Sequence, residues 1–143
     1  MRCAIGSDEA GPLTEALLAE LGRRGIAVER YGALREAQGE AQGWASIGRA
    51  VGEAVASGAA DIGIVCCWTG TGISIAANKV DGIRAALCAD ATTAQGARRW
   101  NDANVLALSL RATAPAVGCE ILDAFFASSA SSEAADRSQI DLL

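Results

Sequence analysis

The segment at residues 67–74 combines a thiol, three hydroxyl groups and two glycines. Gly70 and Gly72 allow a sharp turn that exposes backbone amides. Amides at the start of a helix can bind a phosphate, a carboxylate or a developing enediolate. A tight structural turn is the alternative interpretation. The spacing matches neither the dinucleotide fingerprint nor a Walker loop, so nucleotide binding is disfavoured. Hydroxyl donors in this segment are Thr69, Thr71 and Ser74.

Cys67 stands where the strand that precedes this turn would end, beside the exposed amides. A helix N-terminus favours the thiolate form of a cysteine. A thiolate can remove a proton from a carbon next to a carbonyl, while backbone amides stabilise the resulting oxyanion. We therefore predict that Cys67 is a catalytic base. The alternative is a small apolar core residue, which is the interpretation that we favour for Cys66.

Five cysteines and no histidine limit the chemistry that is available. An odd number of cysteines, mostly inside apolar segments, does not predict a disulfide framework. Without a CxxC pair or a histidine, we predict no metal site, and we expect no cofactor. The missing histidine also removes the usual acid–base group for chemistry at neutral pH.

The composition predicts one domain with a packed core, since 51% of the 143 residues are hydrophobic and 20% are charged. The net charge of -5 and the lack of a Lys/Arg run argue against nucleic-acid binding. No apolar run approaches the roughly 18 residues of a membrane span, and the first residues do not resemble a signal peptide. We therefore expect a cytoplasmic protein that binds neither nucleic acid nor membrane.

Strand and helix patterns alternate five times, and the predicted strands are 2–7, 27–31, 61–66, 83–88 and 105–109. This alternation predicts an α/β fold, a doubly wound, Rossmann-like parallel sheet of five strands with helices on both faces. The domain would cover residues 1–127. A Ser-rich hinge and a C-terminal tail at 128–143 would pack on a partner subunit. Ligands of such folds bind beyond the carboxyl ends of the strands, where the loops at 7–11 and 67–72 lie.

Three blocks of sequence carry a family resemblance. The central block comprises Gly63-Ile64-Val65, Cys67-x-Thr69-Gly70-x-Gly72-x-Ser74-Ile75-Ala76-Ala77-Asn78-Lys79 and Gly82-Ile83-Arg84-Ala85-Ala86-Leu87-Cys88. The other two are Asn101-Asp102-Ala103-Asn104-Val105-Leu106 and Gly6-Ser7-Asp8-x-Ala10-Gly11. Together they resemble the family of ribose-5-phosphate isomerase B and galactose-6-phosphate isomerase, from residue 1 to about residue 126.

The resemblance implies a doubly wound fold and a homodimer, often paired into tetramers, with active sites between subunits. It implies aldose–ketose isomerisation of a phosphorylated sugar through a cis-enediolate, without a metal. Cys67 matches the family's proton-moving base, and Thr69 matches a hydroxyl that takes part in ring opening. The backbone amides of residues 70–74 would form the anion hole, with Gly70, Thr71, Gly72 and Ser74 as its members.

The resemblance also implies residues that bind the sugar and its phosphate. Asp8 and Asn101 would contact sugar hydroxyls, although a solvated turn with a helix cap is the alternative for Asp8. Arg111 follows the fifth strand at the ligand edge and would bind phosphate. Arg137 is aligned with one of the family's tail arginines.

The chain departs from the family pattern at several positions. Glu9 and Trp100 stand where members usually have histidines, and Trp68 stands where they usually have glycine. Glu9 would replace a histidine as a general acid or base, or it belongs to a solvated turn. Trp68 and Trp100 would wall the substrate pocket, or they serve ordinary packing or a dimer contact. The arginine- and histidine-rich tail of the family is reduced to Arg137.

The family motifs that this sequence keeps and those that it lacks together predict the substrate. The enediolate-forming half is kept, while the histidine assigned to ring opening is missing. A four-carbon sugar 4-phosphate cannot close a furanose ring, because its terminal oxygen is esterified. We therefore predict a short or open-chain sugar phosphate. Two alternatives are a catalytically incomplete subunit that needs a related partner, and an isomerase or epimerase of a non-phosphorylated sugar.

Overall fold

The computed structural model describes residues 1–35 and 42–143. The loop predicted at 32–43 therefore lies partly outside the described residues. Eleven elements follow one another along the described chain, and their bounds are β1 Arg2–Ser7, α1 Pro12–Arg23, β2 Ala27–Gly32, α2 Trp44–Ala56, β3 Ile62–Cys67, α3 Thr71–Ala77, β4 Ala85–Leu87, α4 Ala91–Asn101, β5 Val105–Ser109, α5 Pro115–Ala127 and α6 Ala134–Ile140.

The five strands form one parallel sheet in the order β2-β1-β3-β5-β4. At the centre, Ile5 lies opposite Arg30 on one side and Ile64 on the other. Strands β3 and β5 are buried along their whole length, which explains their continuous apolar sequences. The predicted doubly wound five-stranded fold is confirmed.

Each face of the sheet carries its own apolar core. Helices α1, α4 and α5 cover one face, where Leu17 and Phe125 belong to the same buried cluster as Ile64. Helices α2 and α3 cover the other face, where Ile47 and Ile73 belong to the buried cluster. Because successive side chains of a strand point to opposite faces, Cys66 enters the first core and Cys67 the second.

The fourth strand is shorter than predicted. Residues 83–84 do not join the ladder, because the side-chain oxygen of Asn104 accepts the Arg84 amide hydrogen at 2.9 Å. The Asn104 amide group also donates to the carbonyl of Gly82 at 2.8 Å, where φ is +80°. A side chain thus replaces strand pairing at the start of β4.

The tail folds back on its own chain through the short helix α6. Its Ile140 is buried, and the Ser131 amide in the hinge donates to the carbonyl of Arg99 at 2.8 Å. Helix α6 lies against α4, whereas Leu142 and Leu143 remain exposed. Packing of the tail on a partner subunit stays a prediction. None of the helices in the described ranges is long and apolar enough to cross a membrane.

Candidate active site

The loops after β1, β3 and β5 lie at one edge of the sheet, because the carboxyl ends of parallel strands meet there. This edge, the carboxyl edge, carries Asp8, Glu9, Cys67 and Arg111. Backbone hydrogen bonds join two of these loops. The carbonyl of Cys67 accepts the Leu110 amide hydrogen at 2.9 Å, and the carbonyl of Trp68 accepts that of Arg111 at 3.0 Å.

The turn after β3 requires glycine at position 70. Gly70 has φ +74°, in the left-handed region, and its amide donates to the carbonyl of Cys67 at 3.1 Å. A methyl group there would lie 2.5 Å from Cδ1 of Leu87 and 2.9 Å from the backbone of Leu108. Both the backbone conformation and the lack of space therefore exclude a larger residue.

The amides that remain available in this turn are fewer than predicted. The Gly70 amide is used by Cys67, and the Ser74 amide donates to the carbonyl of Gly70 at 3.2 Å. The Thr71 amide makes only a long contact of 3.4 Å with the hydroxyl oxygen of Thr69. Within residues 1–35 and 42–143, the amides of Gly72 and Ile73 have no acceptor. Of the amides predicted to form an anion hole at 70–74, these two therefore remain free of an acceptor in the described residues, and Thr71 is weakly engaged; the anion hole itself stays a prediction.

Adjacent thiols of β3 occupy different surroundings. Cys67 is 5% exposed and lies under the turn, in the core shared with α2 and α3. Cys66 is fully buried on the other face, and burial, with smaller contributions from Cys67 and Asp8, raises its pKa to about 12. Burial also raises the pKa of Cys3 to about 12 and that of Cys88 to about 11. The structure therefore supports the interpretation of Cys66 as a neutral core thiol.

The first loop presents an unsatisfied carboxylate oxygen. Oδ1 of Asp8 is buried and has no hydrogen-bond partner among the described residues. The fully buried Ser7 holds this loop, since its hydroxyl donates to the carbonyl of Glu9 at 2.6 Å. A buried polar atom without a partner is costly, so a hydrogen-bond donor placed at this oxygen would be stabilising; contact of Asp8 with a sugar hydroxyl stays a prediction. The side chain of Glu9 is exposed at the same edge.

An open groove of about 410 Å³ lies beside the turn, at the carboxyl ends of β4 and β5. Thr69 and Arg111 both line it, and both side chains are exposed. The backbone beneath them is fixed, because the Ser109 hydroxyl donates to the carbonyl of Trp68 at 2.8 Å. The structure thus brings Thr69, Arg111 and the half-exposed Trp68 together with Cys67.

Three predicted site residues lie away from this edge. Helix α4 starts after β4 and runs back to the start of β5, so Trp100 and Asn101 lie at the opposite edge, which we call the amino edge. There Asn101 lines a groove of about 400 Å³ with Asn78 and Leu143. Arg137 stands on α6, where it pairs with Asp141 at 3.3 Å. A single chain does not bring these three residues to Cys67.

Trp44 is a neighbour of the turn that the sequence motifs did not single out. A methyl group at Gly72 would lie 3.0 Å from both Cε3 and Cζ3 of its indole ring, and Trp44 is 46% exposed. The signal was present in the sequence, because Trp44, Gly48 and Gly52 recur every four residues on one face of α2. Within the described part of the chain, no group of three or more Cys, Asp or Glu side chains is placed to hold a metal ion.

Comparisons with known proteins agree with the sequence motifs. The family model described as Ribose/Galactose Isomerase matches residues 3–143. The chain is 37% identical over 123 residues to a D-erythrulose-4-phosphate isomerase of Pectobacterium atrosepticum (85% of this chain, 80% of that protein). It is 39% identical over 125 residues to ribose-5-phosphate isomerase B of Escherichia coli (87% and 82%). A 4-deoxy-4-sulfo-D-erythrose isomerase of a Clostridium species is 32% identical over 126 residues (87% and 78%).

The fold is also that of a solved relative. The structure of ribose-5-phosphate isomerase B from Clostridium thermocellum superimposes with a TM-score of 0.90 and 38% sequence identity. The superposition covers 99% of this chain and 94% of that chain.

Proposed function

Because the chain belongs to the ribose/galactose isomerase family of sugar-phosphate aldose–ketose isomerases, we propose that it interconverts a four-carbon aldose 4-phosphate and its ketose. The observation that carries this proposal is the geometry of the turn after β3. Cys67 ends the strand before this turn and shares a buried cluster with Ile73, and the amides of Gly72 and Ile73 have no acceptor among the described residues, while the sequence has no histidine to open a sugar ring.

The proposed reaction begins with Cys67 as a thiolate. It removes the proton from carbon 2 of the open-chain aldose, and the electron pair of that C–H bond forms the double bond between carbons 1 and 2. The carbonyl electrons move to oxygen 1, where the amides of Gly72 and Ile73 stabilise the charge. A proton moves from the hydroxyl on carbon 2 to oxygen 1, and Cys67 returns its proton to carbon 1, which leaves the carbonyl on carbon 2.

Hydrogen-bonding groups around the turn complete the proposed site. Oδ1 of Asp8, which lacks a partner within the described chain, would accept a hydrogen bond from a substrate hydroxyl. Arg111 in the adjoining groove would bind the terminal phosphate, since a guanidinium matches the geometry of phosphate oxygens. Thr69 in the same groove and Glu9 at the same edge would serve the proton transfer between the two oxygens.

The chain length of the substrate follows from the missing ring-opening step. A four-carbon sugar with phosphate on carbon 4 has no free hydroxyl with which to form a furanose, so its carbonyl is available to Cys67. Two of the relatives carry names with this feature, a phosphate on carbon 4 in one and a sulfonate in the other. The half-exposed Trp68 would supply an apolar wall next to Cys67 for the carbon chain.

A substrate panel tests this proposal directly. We expect erythrose 4-phosphate or erythrulose 4-phosphate to be converted with a higher kcat/KM than ribose 5-phosphate, with solvent deuterium incorporated at carbon 1 or 2. Faster turnover of ribose 5-phosphate would contradict the substrate assignment. If no sugar phosphate exchanges deuterium, the isomerase proposal itself is wrong.

We further propose that the complete site forms between two copies of the chain. Trp100 and Asn101 at the amino edge would reach the carboxyl edge of a partner, because a single chain separates them from Cys67. Arg137 on α6 would approach the phosphate in the same way. A homodimer, or a tetramer built from two dimers, would then contain two shared sites per dimer.

Mixing two variants with strongly reduced activity tests the shared site. Cys67→Ala and Asn101→Ala homodimers, once dissociated and reassembled together, should recover roughly a quarter of wild-type activity, because half of the random dimers are hybrids with one intact site. Each variant reassembled alone is the control. Absence of recovery in a mixture that contains hybrid dimers would contradict a site shared between Cys67 and Asn101.

A further inference from the structure

We propose that Trp44 is a positioning residue that holds the Gly72 amide in the orientation that stabilises the enediolate. Trp44 is the first residue of α2, and its indole lies against Gly72 in the turn after β3. This inference rests on the proposed function, since it assigns Trp44 a role only through that turn.

The contact between Trp44 and Gly72 is close and specific. Three ring atoms, Cε3, Cζ3 and Cδ2, would lie 3.0, 3.0 and 3.2 Å from a methyl carbon at Gly72. The six-membered part of the indole therefore rests on the backbone of Gly72, and it would have to shift by a few tenths of an ångström to admit an alanine there. The amide of Gly72 is also one of the two in this turn that have no acceptor within the described chain.

The position of the ring is fixed by the way α2 packs on α3. A methyl group at Gly48 would lie 2.7 Å from the carbonyl oxygen of Ile73, and one at Gly52 would lie 3.1 Å from Cγ2 of Val80. These two glycines let the helix backbones approach closely, and Trp44 precedes them by one turn on the same face. The close approach of α2 to α3 at Gly48 and Gly52 therefore brings Trp44 against the turn that begins α3.

The exposure of Trp44 argues for a role beyond core packing. Its indole is 46% exposed, although it sits on a helix face where Gly48 and Gly52 are buried. Cys67 belongs to the core cluster on the same side of the sheet, under α2 and α3. A rigid aromatic ring therefore borders the turn on the side where the thiol lies, and it restricts the motion of the Gly72 peptide.

Two ligands of the same size separate this role from general binding. Erythritol 4-phosphate resembles the ground state, whereas 3-phosphoglycerohydroxamate has a planar group in place of the enediolate. In wild-type enzyme the hydroxamate should bind far more tightly, because the free amides favour the developing oxyanion. In Trp44→Ala the hydroxamate affinity should fall by roughly tenfold or more, and that of erythritol 4-phosphate by less than about threefold.

Steady-state kinetics should also separate stabilisation of the enediolate from substrate binding. Trp44→Ala should lower kcat with little change in KM, and Trp44→Phe, which keeps a six-membered ring, should restore most of the loss. Gly72→Ala should resemble Trp44→Ala. Gly72→Ala should add no further loss in the Trp44→Ala background, because the ring that the new methyl group would push aside is already absent. Gly22→Ala is the matched glycine control, since a methyl group there meets nothing within 4 Å.

The outcomes are distinguishable. An equal loss of both ligands in Trp44→Ala, or no loss of either, overturns the positioning role. Additive losses in the double variant overturn it as well. A wild-type enzyme that binds the two ligands equally well would instead contradict the proposed enediolate chemistry, whatever Trp44 does.

Discussion

The two edges of the sheet differ in whether a polar side chain near the strand ends is left without a hydrogen-bond partner. At the amino edge they are satisfied within the chain, since the side chain of Asn104 bridges Arg84 and Gly82 and the Arg84 guanidinium pairs with Asp102 at 2.9 Å. At the carboxyl edge, Oδ1 of Asp8 has no partner among the described residues. We infer that hydrogen-bonded polar groups hold the fold in place, whereas a buried polar group without a partner in a fixed loop indicates where a ligand binds.

The largest expected effect separates the two thiols of β3. Cys67→Ala should lower kcat by roughly 10³-fold, because it removes the proposed base. Cys66→Ala is the matched control, since it removes the same atom from the opposite core. Its kcat should stay within about threefold of wild type, while both variants lose about 1 kcal/mol of folding free energy. Equal loss of activity in the two variants would show that packing, and not proton transfer, is what matters.

Substitution of Asp8 tests whether its unpartnered oxygen binds the substrate. Asp8→Asn should lower kcat/KM by about 10- to 100-fold, as expected for the loss of a hydrogen bond to a charged acceptor. The free energy of unfolding should stay equal or rise, because the buried oxygen Oδ1 has no hydrogen bond to lose among the described residues. Steady-state kinetics and urea unfolding measure the two quantities. A large loss of stability would mean that Asp8 serves to stabilise the fold and not to bind the substrate.

Two asparagines at the amino edge should separate stability from activity. Asn104→Ala should cost about 1–2 kcal/mol of stability, because the amide of Arg84 and the carbonyl of Gly82 lose their partners. Its kcat at a temperature where the variant is folded should remain close to wild type. Asn101→Ala should keep the melting temperature, since its side chain is exposed, and should lose activity by about tenfold or more.

The sequence predicted the fold, whereas several contacts around the candidate site could not be predicted from it. The five strands and their alternation with helices could be predicted, because the period and length of apolar runs depend only on neighbouring residues in the sequence. The free amides at Gly72 and Ile73 could not be predicted, because they depend on which carbonyls the other amides of the turn reach. The contact of Trp44 with Gly72 depends on the approach of α2 to α3. Motif spacing also gave no reason to place Asn101 and Cys67 at opposite edges.

The last prediction concerns the stability of the fold at high pH, and it compares Cys66 with Cys67 on the opposite face of β3. Burial raises the pKa of this thiol from 9.0 to about 12 in the folded chain, so the unfolded chain releases its proton first. The contribution to stability is therefore complete below about pH 9 and declines as pH rises toward 12, by at most about 1.4 kcal/mol per pH unit. Urea unfolding of wild type and Cys66→Ala at about pH 8 and about pH 10 measures it. The stability difference between the two proteins should narrow at the higher pH, because alanine has no proton to lose. A constant difference would mean that Cys66 does not contribute to the alkaline loss of stability.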